Sequence, residues 1–348
     1  MFKKTVLTLL KTVLPLLLGI YLIWVFFSGM DPRAKELFYK ALRDANYFWI
    51  LLSLLLGFLA YLSRAWRWGF VLDPLGYKTP FWHRYHAIMI GYIVNLTIPR
   101  AGEASRSAML YRSDAVPFSS SFGTIIAERA VDLLMLGLVA LMTAMLGWGD
   151  FMIIKEQIEE QFGGALSSTQ GAFPWKYVFY AVIVLLGGAF AYLFIFNVAF
   201  RGKFQRFLSG VLQGVFSIFR CGKPIAYFLH TLLIWASYIL MFALPFYSLD
   251  QTTEVPFTGI LLGFIAGSLG ITFTNGGIGT YPLLVGLVVT FYLQKHYPED
   301  AQAVGNALGM LIWATQTLLM ILLGLISLWL LPRNYSKEHD ENTAEHQE

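Results

Sequence analysis

The stretch Asn95-Leu-Thr-Ile-Pro-Arg-Ala-Gly-Glu-Ala-Ser-Arg106 packs Arg100, Glu103 and Arg106 around a proline and a glycine. It closes the apolar run 85–98. A guanidinium offers a planar fork of donors that matches a phosphate. Arg100 and Arg106 therefore read as a site for an anionic headgroup. Glu103 pairs one arginine or meets a cationic part of the same ligand. Charges are expensive in hydrocarbon and at membrane depth usually line a cavity or a substrate path. The competing reading is anchoring of positive charge at a cytoplasmic surface.

Three further groups could join this chemistry. Glu128, Arg129 and Asp132 fall within one helical turn, and Glu128 and Asp132 share a face. Unpaired they would repel, so an arginine is expected beside them, from Arg64, Arg67, Arg100 or Arg106. A structural ion pair that fixes helix packing is compatible with a functional role. Arg64 and Arg67 stand beside Trp66 and Trp68 at a helix end, where they either snorkel to the interface or line a substrate path. Asn275-Gly276-Gly277-Ile278-Gly279 could turn backbone amides toward an anion, or form a tight turn. His83 and His86 have no third metal ligand close in sequence, so no metal site and no cofactor are expected. No zinc-protease, phosphate-loop or nucleophile-elbow pattern occurs, and no enzymatic activity is expected.

The elements that must hold these residues follow from composition. The chain of 348 residues is 57% hydrophobic and 13% charged, against roughly 25% charged in soluble domains. The excess lies in long blocks, which predicts an all-α, polytopic integral membrane bundle. Its single cysteine, Cys221, excludes an internal disulfide. Full spans are expected at 5–27, 46–70, 119–148, 174–198, 225–249 and 303–331, about six in all. The first reads as an uncleaved span rather than a signal peptide. The segment Asp31 to Asp44 reads as a short mixed-charge loop, and 204–219 as an amphipathic helix on the membrane surface. The run 85–98 is too short to cross, reaching about two-thirds of the ~30 Å hydrocarbon core. With the cluster at Pro99–Arg106 it reads as a re-entrant hairpin. A second hairpin is expected from 257–273 and 281–293, split by Thr274 to Pro282.

Lysine and arginine collect at the N-terminus, 64–84 and 199–224, and are scarce in 149–173, 250–256 and 294–302. The positive-inside rule assigns the first set, with both termini, to the cytoplasm. The chain then divides into halves of about 1–148 and 174–332, related by inversion, each with its broken element third. Inverted repeats of this kind place a transporter's site where the breaks meet. The region 1–332 forms one transmembrane bundle, and 333–348 reads as a disordered cytoplasmic tail.

Together, Arg67-Trp68, Asn95…Pro99-Arg100-x-Gly102-Glu103-x-x-Arg106, Glu128-Arg129-x-x-Asp132 and Gly276-Gly277-Ile278-Gly279 resemble the flippase-like transmembrane region of the lysylphosphatidylglycerol synthase/flippase family. The resemblance runs over nearly the whole chain. It implies a bundle with two re-entrant elements that moves a lipid, or a lipid-linked headgroup, between leaflets. Two departures matter. The family's second motif usually has prolines before the paired glycines and a glutamate after them, where Thr274, Asn275 and Pro282 stand here. The chain also has no room for the soluble aminoacyl-transferase domain of full-length members, so lysyl transfer is not expected.

The function expected from sequence is a flippase of the plasma (bacterial inner) membrane for an anionic phospholipid or a lipid-linked phosphate headgroup. Glu128 and Asp132 would hold the arginines or couple the step to protons. The alternatives are a membrane-embedded enzyme acting on a lipid phosphate and a non-transporting envelope assembly factor. The expected partners are the lipid headgroup and the membrane, with no nucleic acid; a homo-oligomer stays open. Topology reporters fused at Gly164 and Gly210 should report opposite sides of the membrane. Reports from one side would overturn the inverted arrangement.

Overall fold

A computed structural model describes residues 32–98, 101–147 and 221–331, with the isolated positions Gly149, Gly202, Gln205 and Ser209. The expected spans 5–27 and 174–198, nearly all of the amphipathic segment 204–219, the tail 333–348 and Arg100 lie outside the described residues. Those described are helical throughout apart from connecting turns.

The helices are α1 (Pro32–Asp44), α2 (Tyr47–Leu72), α3 (Phe81–Thr97), α4 (Gly102–Asp114), α5 (Phe118–Leu146), α6 (Pro224–Ala243), α7 (Phe257–Phe273), α8 (Thr280–Leu293) and α9 (Ala301–Leu330). Proline marks many of the starts. Pro80, Pro117 and Pro256 immediately precede α3, α5 and α7, and Pro224 opens α6. Proline fits there because the first turn of a helix does not need its missing N–H. Asn46 caps α2 by accepting from the Phe48 amide at 3.1 Å.

Three helical stretches are long and apolar enough to cross a membrane by length and composition: Tyr47–Leu75, Pro224–Tyr247 and Ala301–Leu330. α5 matches them at 29 residues but carries Glu128, Arg129 and Asp132. Exposed apolar side chains ring the bundle, among them Leu134 and Met145 on α5, Ile225 on α6 and Trp329 on α9. Apolar surface this extensive suits lipid rather than water.

One segment differs from its sequence reading. Residues 32–44 are a helix, not a loop. Phe38 is buried against Ala307, with Ala41 and Leu42 packed alongside. That apolar stripe at helical spacing docks α1 on α9 and outweighs the charges on its outer face.

The short helices form two antiparallel hairpins. The base of α3–α4 is clasped by His83 Nδ1 and Asp114 Oδ1 at 2.9 Å. At the base of α7–α8, Gly259 lies against the Tyr292 ring. These bases sit at opposite ends of the bundle. Cys221, Leu72, Val116 and, partly buried, Phe81 cluster at one end. At the other, Asn46 N donates to Ser248 O at 2.8 Å and Tyr297 OH to Glu254 at 2.7 Å. The two tips meet between them. A Cβ on Gly276 would collide with Leu96, and the Gly276 carbonyl accepts from Trp313 Nε1 at 2.9 Å. Gly276, Gly277 and Gly279 all take positive φ, which glycine adopts without the cost other residues bear.

Packing between the hairpins and their neighbours is reciprocal. α2 packs against α6, α9 against α3 and α5 against α7. Gly324 of α9 meets Ile93 of α3, and Gly147 at the end of α5 meets Thr258 of α7.

Gly276→Ala should lower the melting temperature in detergent, through a left-handed backbone cost of about 1–2 kcal/mol plus the clash. Adding Leu96→Ala should restore the clash part and leave the backbone part. No recovery in the double variant would mean the tips do not touch.

Candidate functional site

Seven of the residues singled out from sequence gather in one charged cluster, a five-membered ion-pair network with a separate Arg106–Glu128 pair beside it. Asp132 Oδ2 accepts from Arg64 Nη2 at 2.7 Å, and Oδ1 from Arg67 Nη2 at 3.0 Å. Glu128 Oε2 accepts from Arg106 Nη1 at 2.8 Å. Arg129 bridges Glu103 at 2.9 Å and Asp132 at 3.8 Å. α2 supplies Arg64 and Arg67, α4 supplies Glu103 and Arg106, and α5 supplies the other three. The four-residue offset of Glu128 and Asp132 aims both inward, each at a different arginine set.

Uncharged groups add to the seating. Arg67 Nη1 donates to Thr231 Oγ1 at 3.2 Å, and Arg64 Nη1 to the Tyr238 hydroxyl at 3.2 Å. The Arg106 guanidinium lies 3.7 Å over the Trp68 ring. Trp68 Nε1 in turn donates to Thr124 Oγ1 at 2.9 Å. Asn95 Oδ1 accepts from the Gly102 amide at 2.7 Å and so caps α4 across the break. Gly102 is required there, since a Cβ would strike Asn95 and the Gly91 carbonyl.

Burial sorts the charges into two classes. Arg64, Arg67, Arg106 and Glu128 are enclosed, with side-chain exposures of 5% or less. Arg129 is 44% exposed, Glu103 27% and Asp132 13%. The sequence reading looked to Arg100 and Arg106 for phosphate contact. Arg106 bonds Glu128 and stacks on Trp68, its Nε and Nη2 meet no partner among the described residues, and Arg100 lies outside them. The open cation is Arg129. Among the described residues the network sets three guanidiniums against two carboxylates, leaving one positive charge in excess, and the Arg106–Glu128 pair adds none.

Beside the network lies a cavity of about 460 Å³. That is within the range of small-molecule sites, ~300–1,000 Å³. Arg64, Arg129 and Asp132 form its charged wall. The rest is mostly aromatic and aliphatic, including Tyr61, Tyr92, Trp235 and Tyr281, with Ser268 and Gln316 as polar exceptions. Leu133 and Ile271 are also exposed on the outside of the bundle, so the cavity opens sideways between α5 and α7. A smaller recess of about 10 Å³ adjoins Asn95, Gly102, Glu103, Arg106 and Arg129.

Asn275, Gly276, Gly277 and Gly279 form the tip of the second hairpin, and the three glycines lie off the cavity wall. Thr274 Oγ1 donates to the Ile278 carbonyl at 3.0 Å, and Trp313 holds the Gly276 carbonyl, so side chains satisfy much of this turn. The turn lies next to the cavity through Ile271 and Tyr281 on its two flanks. His83 and His86 bond Asp114 and Ser327. The aromatic wall was not foreseen. In spans this rich in Tyr, Phe and Trp, nothing local marks the residues that face inward. Gln316 on α9 did carry a signal, as an amide at the middle of a long apolar span.

Arg106→Ala would leave Glu128 buried without its partner, at a cost of about 3–5 kcal/mol. The variant should melt well below wild type, and Arg106→Met with Glu128→Leu should recover most of the loss. A single variant as stable as wild type would show that the pair is not buried as described.

The comparisons agree with this picture at the level of the family. The family described as the lysylphosphatidylglycerol synthase TM region matches residues 12–323. A UPF0104 membrane protein of Methanocaldococcus jannaschii, MJ1595, is 28% identical over 96 residues, covering 27% of this chain and 29% of the relative. The match thus spans under a third of that relative's length. No solved structure matches. The extent of the family match leaves one assignment: the chain belongs to the membrane-protein family of the lysylphosphatidylglycerol synthase transmembrane region.

Proposed function

We propose that the protein is a lipid flippase or related lipid transporter of the plasma (bacterial inner) membrane. It moves an anionic phospholipid, or a lipid-linked phosphate headgroup, between leaflets without making or breaking a covalent bond. Both termini face the cytoplasm. The observation that carries this reading is the side-opening cavity with one charged wall, which lies beside the meeting tips of two hairpins from opposite ends of the bundle.

The chemistry is electrostatic. Arg129 contacts the phosphate, because it is the open cation and the network holds a positive excess. Arg64 and Arg67 fix Asp132, and Asp132 helps to aim Arg129. Arg106 and Glu128 hold α4 against α5. The acyl chains remain in lipid and reach the headgroup through the gap beside Leu133 and Ile271. The reciprocal packing of α9 on α3 and α5 on α7, with α2 on α6, supports the two halves as an inverted repeat.

Arg129→Gln should slow leaflet exchange of a fluorescent anionic phospholipid in proteoliposomes by roughly tenfold to a hundredfold, the loss of a hydrogen bond to a charged group. Its melting temperature should stay near wild type, because the side chain is half exposed. Arg129→Lys should fall between, keeping the charge without the fork. Exchange at the wild-type rate in Arg129→Gln would remove Arg129 from the mechanism. A chemically altered lipid recovered from the wild-type vesicles would favour the enzyme reading.

A further inference from the structure

The ion-pair network leaves polar groups in the same cavity unused. Gln316 of α9 lines the wall, and its amide meets no protein partner among the described residues. Tyr61 on α2 and Tyr281 on α8 also line the cavity, and their hydroxyls meet no protein partner among the described residues. They are not sealed in, whereas the unpartnered Trp235 Nε1 is enclosed by protein. Ser268 of α7 donates to the Phe264 carbonyl at 2.8 Å and keeps its acceptor capacity. These groups come from four helices and converge on a space otherwise walled by apolar side chains.

Together the amide and hydroxyls offer donors and acceptors without formal charge. Polar groups in an apolar wall are costly unless a bound molecule or water completes them. Among the described residues the only carboxylate on the cavity wall is Asp132, and both of its oxygens already accept from Arg64 and Arg67. A cationic headgroup would find no free acid there and would face the positive excess of the network. A hydroxyl both donates and accepts, which suits an amide and two phenols.

Resting on the transport reading, with the lipid phosphate at Arg129, we propose that Gln316, Tyr281 and Tyr61 form a second subsite. It receives a neutral, hydroxyl-bearing group esterified to that phosphate, either a glycerol or a ring polyol. The protein therefore selects polyol phosphodiesters over amine-bearing lipids.

The test uses the full chain in vesicles carrying fluorescent phosphatidylglycerol, phosphatidylinositol, phosphatidic acid or phosphatidylethanolamine. Wild type should exchange one or both polyol lipids faster than the amine lipid, and the faster of the two identifies the polyol. Gln316→Met and Tyr281→Phe keep shape and remove only polar groups. Each should lower polyol-lipid exchange roughly three- to tenfold, the size of one uncharged hydrogen bond, while phosphatidic acid exchange stays unchanged. Melting temperatures of the solubilised variants, with and without each lipid, read binding apart from transport. An equal loss for all four lipids, or a wild-type preference for the amine lipid, overturns the subsite and leaves the transport reading standing. Failure of wild type to exchange any of the four overturns both.

Discussion

One shared carboxylate governs this bundle. Asp132 stands on an apolar helix and takes a hydrogen bond from each of two arginines on another helix. In a low-dielectric interior an uncompensated charge is expensive, and an ion pair repays its desolvation only when its geometry is good. Arg64 and Arg67 are three residues apart on α2, so both reach the same side of α5. Rotation or sliding of α2 against α5 would strip Asp132 of a partner. Thr231 and Tyr238, bonded to the same two arginines, extend the constraint to α6. Three helices are thus held in register by one acid, and the cavity forms where they part.

The broken hairpins obey a related rule. Backbone groups freed by a helix break need partners inside a membrane protein. At the first break Asn95 takes the Gly102 amide; at the second Trp313 donates to the Gly276 carbonyl. Thr274 and Thr280 share a hydrogen bond, and Thr280 also donates to the Gly270 carbonyl. The two tips touch through Leu96 and Gly276. Tyr281 and Ile271 flank one break, and Tyr92 lies one turn before the other, so the cavity wall inherits its shape from the two tips.

Much of this was legible in the sequence because charge is rare against an apolar background. Glu128, Arg129 and Asp132 announced themselves, and their spacing called for arginine partners. The hairpin at Thr274 to Pro282 was readable from its glycines. The helix α1 was not read, although Phe38, Ala41 and Leu42 sit at helical spacing, because the flanking charges suggested a loop. What sequence could not reveal was which cation stays open. Arg106 and Arg129 look alike in the chain, but Trp68 covers one and leaves the other at the cavity rim. Nor could it mark Tyr61 or Tyr281, since an inward tyrosine in an aromatic-rich span has no local signature.

The placement of Arg129 also explains why the charges are all on one side. The first hairpin carries Glu103 and Arg106 close to its break, whereas the second offers Thr274, Asn275 and Pro282. No carboxylate of α7 or α8 balances the network, so its positive excess falls on the cavity they share. On the transport reading, a phosphate reaching Arg129 must displace Glu103, which belongs to the first hairpin. The displaced Glu103 keeps its charge in the protein, so the arriving phosphate offsets the one positive excess of the network. The ligand then enters without a new buried charge having to be compensated, and what changes is the hold that α5 keeps on α4. Binding and the grip on a hairpin are in this way the same event, made so by a single arginine with two acidic neighbours.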